Sequence, residues 1–247
     1  AIKSLIFTPK RSIGNHLFSP KQKLEVSLWS EMGTRRYPKR VTLISNLIHD
    51  REAIMLYSPT GVGKTWLSLS IAMMVAGKGQ LEVLDWENKD PQPVCYVDGE
   101  MLEEDMQERI KMLIPSLSID EEELRKNFRY LSRVSQKEEI EDFLSLELKE
   151  NQLELLKWLK DNSGKGKHPL LVLDNLSNLA ELGDENSSGQ MQSFNMMVTK
   201  ARKFGCSMVT VHHTGKSMTL GPDGIPTWRG SYDMATRLDK TLCLLPC

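Results

Sequence analysis

The sequence lacks the features that mark membrane, secreted and metal-cluster proteins. No apolar run approaches the ~18 residues that a membrane-spanning helix needs, and the opening residues AIKSL are too mixed for a secretory signal. The four cysteines do not form metal-ligand pairs. Cys95 and Cys206 lie in or beside apolar segments, where a buried reduced thiol is favoured over a disulfide. We therefore expect an intracellular, cytoplasmic protein with no membrane partner.

The chain also has no excess of charge of either sign. Its net charge is −1 at pH 7, so any contact with nucleic acid has to come from a local basic patch. With 40% hydrophobic and 26% charged residues, the 247-residue chain can build a sizeable core, either as one large α/β domain or as two small ones.

The first 40 residues differ in composition from the rest. Lysines and arginines outnumber the acids Glu25 and Glu31, and prolines and glycines break the stretch into short pieces. We predict a basic N-terminal arm or linker over residues 1–40, with one small helix near Leu24–Trp29, and a separate domain over residues 41–247. A solvated tail, a surface for a neighbouring subunit and a contact with nucleic acid remain open as roles for the arm.

From Val41 onward, segments of strand and helix character alternate. This order predicts an α/β fold in which a mostly parallel central sheet is flanked by helices. Asp120 and Glu123 resemble the start of a capped helix, and the Leu- and Glu-rich stretch 101–160 indicates amphipathic packing. The predicted strands are Ala53–Tyr57, Val94–Asp98, Leu170–Asp174, Ser207–His212 and Thr241–Leu245, with a weaker one at Phe128–Leu131.

Residues 58–65, with the sequence SPTGVGKT, are the most informative stretch of the chain. An apolar strand precedes them and an apolar helical pattern follows, which is the arrangement of a loop that cradles nucleotide phosphates with its backbone N–H groups. Lys64 would reach the β- and γ-phosphates, and Thr65 would offer its hydroxyl to Mg²⁺. Ser58 replaces the usual first glycine, and a simple Gly-rich turn before a helix is the alternative. The residues expected to contact the nucleotide are Pro59, Thr60, Gly61, Val62, Gly63, Lys64, Thr65 and Trp66.

Two further strands end in carboxylates. The strand ending in Asp174 is typical of the second nucleotide motif, so Asp174 is expected to hold Mg²⁺ beside Thr65. Because Asn175 follows in place of a second acid, the base that activates water has to come from elsewhere. Glu100 is the first candidate and Asp98 the second, although an acid at a helix N-terminus is an alternative for Glu100. Asn175 and Asn178 could tune the metal or serve as turn residues.

Polar residues also follow the fourth and fifth predicted strands. His212 and His213 stand where a side chain can sense the γ-phosphate, and Lys216 follows in a segment that could touch nucleic acid. Adjacent histidines could also bind a metal, but no second cluster supports that. Arg229 comes after a Gly- and Pro-containing stretch and could act on the γ-phosphate of a neighbouring subunit, or pair locally with Asp223.

The ordered set SPTGVGKT, YVDGE, LLVLDN, VHHTGKS and WRGSYDMATRLD resembles the RecA-like P-loop ATPases of the RepA-type replicative helicase group of plasmids and other mobile elements. The resemblance covers roughly residues 41–245. It implies a RecA-like fold, ATP and Mg²⁺ as cofactors, and assembly into a ring, often a homo-hexamer, that translocates on single-stranded DNA. Matching the motifs gives Glu100 the role of catalytic base, His213 (or His212) that of sensor, and Arg229 that of inter-subunit finger.

Three functions follow as hypotheses. The first is a DNA helicase in the replication of a mobile element. The second is an ATP-switched assembly or regulatory module without unwinding activity, which stays open because basic charge near the expected nucleic-acid face is limited to Lys216, Lys200, Arg202 and Lys203. The third and weakest is a kinase, for which no acceptor-binding segment is recognisable.

Overall fold

The computed structural model describes residues 25–136, 145–180, 188–214 and 236–246. In these residues the strands are β1 (Thr42–Ile44), β2 (Ile48–His49), β3 (Ala53–Ser58), β4 (Gln80–Leu81), β5 (Trp86–Glu87), β6 (Val94–Asp98), β7 (Phe128–Ser132), β8 (Leu170–Asp174), β9 (Ser207–His213) and β10 (Lys240–Cys243). The helices are α1 (Trp29–Met32), α2 (Lys64–Gly77), α3 (Glu103–Ser116), α4 (Glu121–Asn127), α5 (Lys149–Asp161), α6 (Leu176–Leu179) and α7 (Ser188–Phe204), with a short 3₁₀ turn at Glu82–Leu84.

Six of the strands form one parallel sheet in the order β10-β3-β9-β8-β6-β7. The central strands are buried along their whole length, which is why β3, β6 and β8 are continuous apolar runs and do not alternate between apolar and polar residues. The parallel α/β class predicted from the sequence is therefore confirmed. The two short hairpins, β1–β2 and β4–β5, were not predicted.

The core has two parts, because successive side chains of a strand point to opposite faces of the sheet. Ile54, Tyr96 and Val172 pack in one cluster with α2, and their neighbours Met55, Val97 and Leu173 pack in the other with α5 and α7. Helix α2 is buried over most of its length, as expected for a helix that is apolar on all sides. The sheet and α2 thus form a rigid base for the loop that joins β3 to α2.

Most predicted elements are found close to their expected bounds. Strands β6 and β8 match, β3, β7 and β9 are each one residue longer, and the last strand is Lys240–Cys243 where Thr241–Leu245 was predicted. Asp120 caps α4, since its side chain accepts hydrogen bonds from the backbone N–H groups of Glu122 and Glu123. Cys95 and Cys206 are buried free thiols, as predicted.

The chain divides into two compact units, with the boundary between Lys39 and Arg40. In the first unit, the described residues 25–39 are exposed and contain only the single-turn helix α1, which starts where the predicted helix near Leu24–Trp29 was expected to end. The second unit holds the sheet and the remaining helices. Across the described parts of the chain, no helix has both the length and the apolar character needed to cross a membrane.

Candidate nucleotide site

The loop between β3 and α2 has the backbone of an anion-binding cradle. Gly61 and Gly63 adopt left-handed conformations with φ of +84° and +103°, which glycine tolerates and other residues rarely adopt. A Cβ atom at either position would meet no atom within 4 Å, so it would project into the open space that the loop borders. The glycines therefore serve the bend of the backbone, and the concavity they form fits phosphate oxygens.

Lys64 is the first residue of α2, and its ammonium group lies inside this loop. Nζ donates hydrogen bonds to the carbonyls of Ser58 and Pro59, at 3.0 and 2.9 Å, and to Ser58 Oγ at 3.3 Å. Burial lowers the pKa of Lys64, while the carboxylates of Asp174 and Glu100 act in the opposite direction. The side chain thus brings a positive charge to the mouth of the cradle, where sequence analysis expected it.

Ser58, which replaces the usual first glycine, is the last residue of β3 and is fully buried. Its backbone continues the strand, pairs with His213 of β9, and does not need the left-handed freedom of glycine. Its hydroxyl donates a hydrogen bond to the Pro59 carbonyl at 2.8 Å. The substitution is therefore compatible with the loop because the bends are made by Gly61 and Gly63.

Asp174 ends β8 beneath the loop. Its Oδ2 accepts hydrogen bonds from Tyr96 Oη at 2.5 Å and from Ser68 Oγ at 3.2 Å, and the side chain of Thr65 also bonds to it. Burial raises the pKa of Asp174, and the hydroxyls of Tyr96, Thr65 and Ser68 partly oppose that shift. A hydroxyl and a carboxylate in contact are the hard oxygen donors that Mg²⁺ prefers, so the predicted pair Thr65 and Asp174 fits this ion.

Tyr96 and Ser68 were not singled out in the sequence. Ser68 lies one turn after Thr65 on α2, so helical spacing alone could have placed both hydroxyls on one face. Tyr96 is hidden in an apolar strand, and nothing in the local pattern separates its hydroxyl from an ordinary core tyrosine.

Glu100 and Asp98 occupy different environments. Glu100 lies beside the cleft, where its Oε1 accepts hydrogen bonds from the side-chain amides of Asn175 and Asn178 at 2.9 and 2.5 Å. Asp98 is 1% exposed, and its Oδ1 accepts from the backbone N–H groups of Glu100 and Met101 at 2.7 and 2.8 Å. Burial raises the pKa of Asp98 to about 6. Asp98 thus shapes the turn that carries Glu100, and Glu100 faces the cleft.

Asn175 and Asn178 combine the two roles that the sequence left open. Asn175 caps α6 by accepting a hydrogen bond from the Asn178 backbone N–H at 3.1 Å, while both side-chain amides hold Glu100. These asparagines are therefore turn residues that also orient a carboxylate at the cleft.

The cleft above the loop has a volume of about 260 Å³. His213 lines it from the end of β9, and the next residue, Thr214, donates its backbone N–H to the Ser58 carbonyl at 3.2 Å. His212 is fully buried in the sheet, so the geometry favours His213 for the sensor position. The described residues that line the cleft are Thr60, Gly61, Gly63, Lys64, Thr65, Trp66, Glu100, Arg109, Asp174, Asn175 and His213.

Several predicted site residues stand apart from this lining. Pro59 contributes its carbonyl to Lys64, and Val62 is half-buried in the loop. Arg229 and Lys216 lie outside the described residues. The histidines do not form part of a metal cluster: within the described ranges, no group of three or more His, Cys, Asp or Glu side chains is gathered to hold an ion.

The parallel sheet, the glycine-bent loop with its lysine and the aspartate at the end of β8 define a RecA-like P-loop ATPase. Residues 19–218 match the model of the AAA_25 family, which is described as an AAA domain, and the chain belongs to that family. A P-loop ATPase of this kind binds a nucleotide, typically with Mg²⁺. No curated protein sequence matches the chain.

Solved structures agree on the fold. The KaiC-like protein PH0186 from the hyperthermophilic archaeon Pyrococcus horikoshii OT3 is similar with a TM-score of 0.50 and 15% identity, covering 81% of this chain and 74% of that one. A second solved structure, which is the ATPase domain of another protein, is similar with a TM-score of 0.53 and 17% identity, covering 79% of this chain and 70% of that one. At such identities the likeness establishes the fold alone.

Proposed function

We propose that the protein hydrolyses ATP with Mg²⁺ to drive a motor on single-stranded DNA, as a ring-shaped replicative helicase of a mobile element. The observation that carries this proposal is the position of His213 in the same cleft as Lys64 and Glu100. A strand that begins deep in the sheet and ends at the expected γ-phosphate can transmit the state of the nucleotide to the segment that follows it. The resemblance of five ordered motifs to RepA-type helicases supports the choice of motor.

The residues of the cleft divide the chemistry among themselves. Lys64 and the loop amides bind the phosphates, and Thr65 and Asp174 hold Mg²⁺, which when bound neutralises charge on the phosphate oxygens. Glu100 accepts a proton from the attacking water, because it is the acid whose side chain borders the cleft. The amides of Asn175 and Asn178 hold its carboxylate in place.

We propose further that the ATPase works as an assembly of identical subunits, with a homo-hexamer as the expected form. In this arrangement Arg229 reaches the γ-phosphate bound by the adjacent subunit. A guanidinium suits the planar array of phosphate oxygens and stays charged at any working pH. The sequence resemblance supports this role, which makes hydrolysis depend on assembly.

Mixing two inactive variants tests the trans role of Arg229. We expect Arg229→Ala and Lys64→Ala proteins to be nearly inactive alone, because each lacks one half of every site. A mixture should recover part of the activity, since some interfaces then join an intact Lys64 to an intact Arg229. ATPase rate is measured across mixing ratios, with sedimentation to follow assembly. Concentration-independent turnover by a wild-type monomer would return Arg229 to a local ion pair.

Single-stranded DNA should bind the ATP-loaded assembly with an affinity that falls steeply with salt. Each phosphate contact releases counterions, so log affinity decreases linearly with log salt, with a slope of about −0.7 per neutralised phosphate for single strands. Fluorescence anisotropy of labelled oligonucleotides with a non-hydrolysable ATP analogue measures this slope. In the same experiment His213→Ala should keep ATP and DNA binding but lose the stimulation of hydrolysis by DNA.

One observation favours the second candidate, an ATP-switched assembly module without unwinding activity. Among the basic residues counted toward a nucleic-acid face, Arg202 is already engaged: its guanidinium bonds to Asp239 Oδ2 and to the Arg237 carbonyl, both at 2.7 Å. The charge free for DNA is correspondingly smaller. Absence of DNA binding at low salt, together with ATP-dependent assembly, would select the switch over the motor.

A further inference from the structure

One wall of the cleft is formed by a stacked pair that the proposed chemistry does not use. The guanidinium carbon of Arg109, on α3, lies 5.0 Å from the centroid of the Trp66 ring, on the first turn of α2. Both side chains line the cleft together with Lys64 and Thr65. Trp66 keeps 37% of its surface exposed, although tryptophan is a residue that folding usually buries.

The surroundings of Arg109 offer no structural reason for the pair. Within the part of the chain that the structure describes, Arg109 forms no ion pair with a carboxylate, and its interaction is the one with the indole. Its helix carries acids in the first turn, Glu103, Glu104 and Asp105, which are exposed and not engaged with it. A half-buried arginine stacked flat on an exposed aromatic ring is a platform for another planar group.

The position of the pair indicates which part of a ligand it meets. The glycine-bent loop and Lys64 take the phosphates, and Thr65 takes the metal, so the pieces of a nucleotide still without partners are its ribose and base. Trp66 follows Thr65 directly, so the pair borders the phosphate site on the side of α2 and α3. An indole has no charge to offer a phosphate, but its face and the guanidinium plane both stack on aromatic rings.

We propose that Trp66 and Arg109 form the subsite for the nucleoside of ATP, with the purine base stacking on the guanidinium–indole pair. This inference rests on the proposed nucleotide binding by the loop. It assigns Arg109, which sequence analysis placed in an amphipathic helix, a binding role, and it gives Trp66 a contact to the base in place of the phosphates.

Comparing ATP with inorganic triphosphate separates this subsite from the phosphate site. Calorimetric titrations with Mg²⁺ measure both ligands on the full chain and on Trp66→Ala, Trp66→Phe, Arg109→Ala and Arg109→Lys. Trp158→Ala is the matched control, because Trp158 is 43% exposed on α5 and is not among the described lining residues of the cleft. Thermal unfolding of each variant verifies the fold.

We expect Trp66→Ala to weaken ATP binding about tenfold, in line with the loss of one base–aromatic stack, and to leave triphosphate binding unchanged. Trp66→Phe should retain most of the affinity for ATP. Arg109→Lys should behave like Arg109→Ala, since lysine keeps the charge but loses the plane. The control should bind both ligands as the wild type does.

Two results would overturn the assignment. If Arg109→Ala weakens ATP and triphosphate equally, and Arg109→Lys restores both, Arg109 is a phosphate ligand. If neither Trp66 nor Arg109 variants change ATP affinity, the pair is not a nucleoside subsite. Failure of the proposed function looks different: the wild type would then not bind triphosphate at all, or Lys64→Ala would bind it normally.

Discussion

Lys64→Ala is expected to lower the rate of ATP hydrolysis by at least ~10²–10³-fold, the cost of removing one preorganised group that stabilises transition-state charge. The fold should survive, because the ammonium is held by loop oxygens and is not part of either apolar cluster. Burial disfavours the charged form of this lysine, which limits how much its removal can destabilise the protein.

Steady-state ATPase assays and thermal unfolding of the same preparations measure the two effects. Lys89→Ala is a suitable control, because its side chain is 79% exposed and pairs only with Glu87 on the surface. Wild-type turnover in a well-folded Lys64→Ala protein would end the interpretation of this loop as a site of nucleotide hydrolysis.

Glu100→Gln is expected to bind ATP and hydrolyse it ~10²–10⁴ times more slowly, the range typical of a lost general base. The side-chain oxygen of glutamine can still accept the amide hydrogen bonds of Asn175 and Asn178, so the geometry is kept and the proton acceptor is lost. Binding and chemistry should therefore separate: affinity for ATP stays near the wild-type value while single-turnover hydrolysis almost stops.

The comparison with Asp98→Asn makes this test specific. Asparagine keeps the acceptor oxygen that Asp98 offers to the backbone N–H groups of Glu100 and Met101, so the turn should persist. We expect a milder loss of rate than for Glu100→Gln. The reverse order, with Asp98→Asn inactive and Glu100→Gln active, would show that Asp98 is the base.

The parallel sheet could be predicted because its central strands are buried on both faces and are therefore written as continuous apolar runs. Leu170–Asp174 and Val94–Asp98 are clear for this reason. The hairpins β1–β2 and β4–β5 have strands of two or three residues, too short to show any periodicity. The last strand is half-exposed at the sheet edge, which explains why its end was displaced.

The site was predictable where chemistry imposes a sequence spacing. The lysine and hydroxyl of the loop and the aspartate after β8 come from local motifs, and the structure brings them to one cleft. Tyr96, Ser68 and Arg109 could not be identified in the same way, because their importance depends on which strands and helices become neighbours. Tyr96 meets Asp174 only because β6 and β8 lie side by side with Asp98 opposite Asp174.

The hydroxyl of Ser58 has a consequence for how the protein rests between nucleotides. With the carbonyls of Ser58 and Pro59 it completes an internal oxygen cage around the Lys64 ammonium, a cage that a glycine at this position would leave with one ligand fewer. Phosphate binding is then a ligand-exchange reaction, in which the nucleotide competes with the chain's own atoms for one cation. Affinity reflects the difference between two sets of bonds, and the capture rate includes the time the lysine needs to leave its cage.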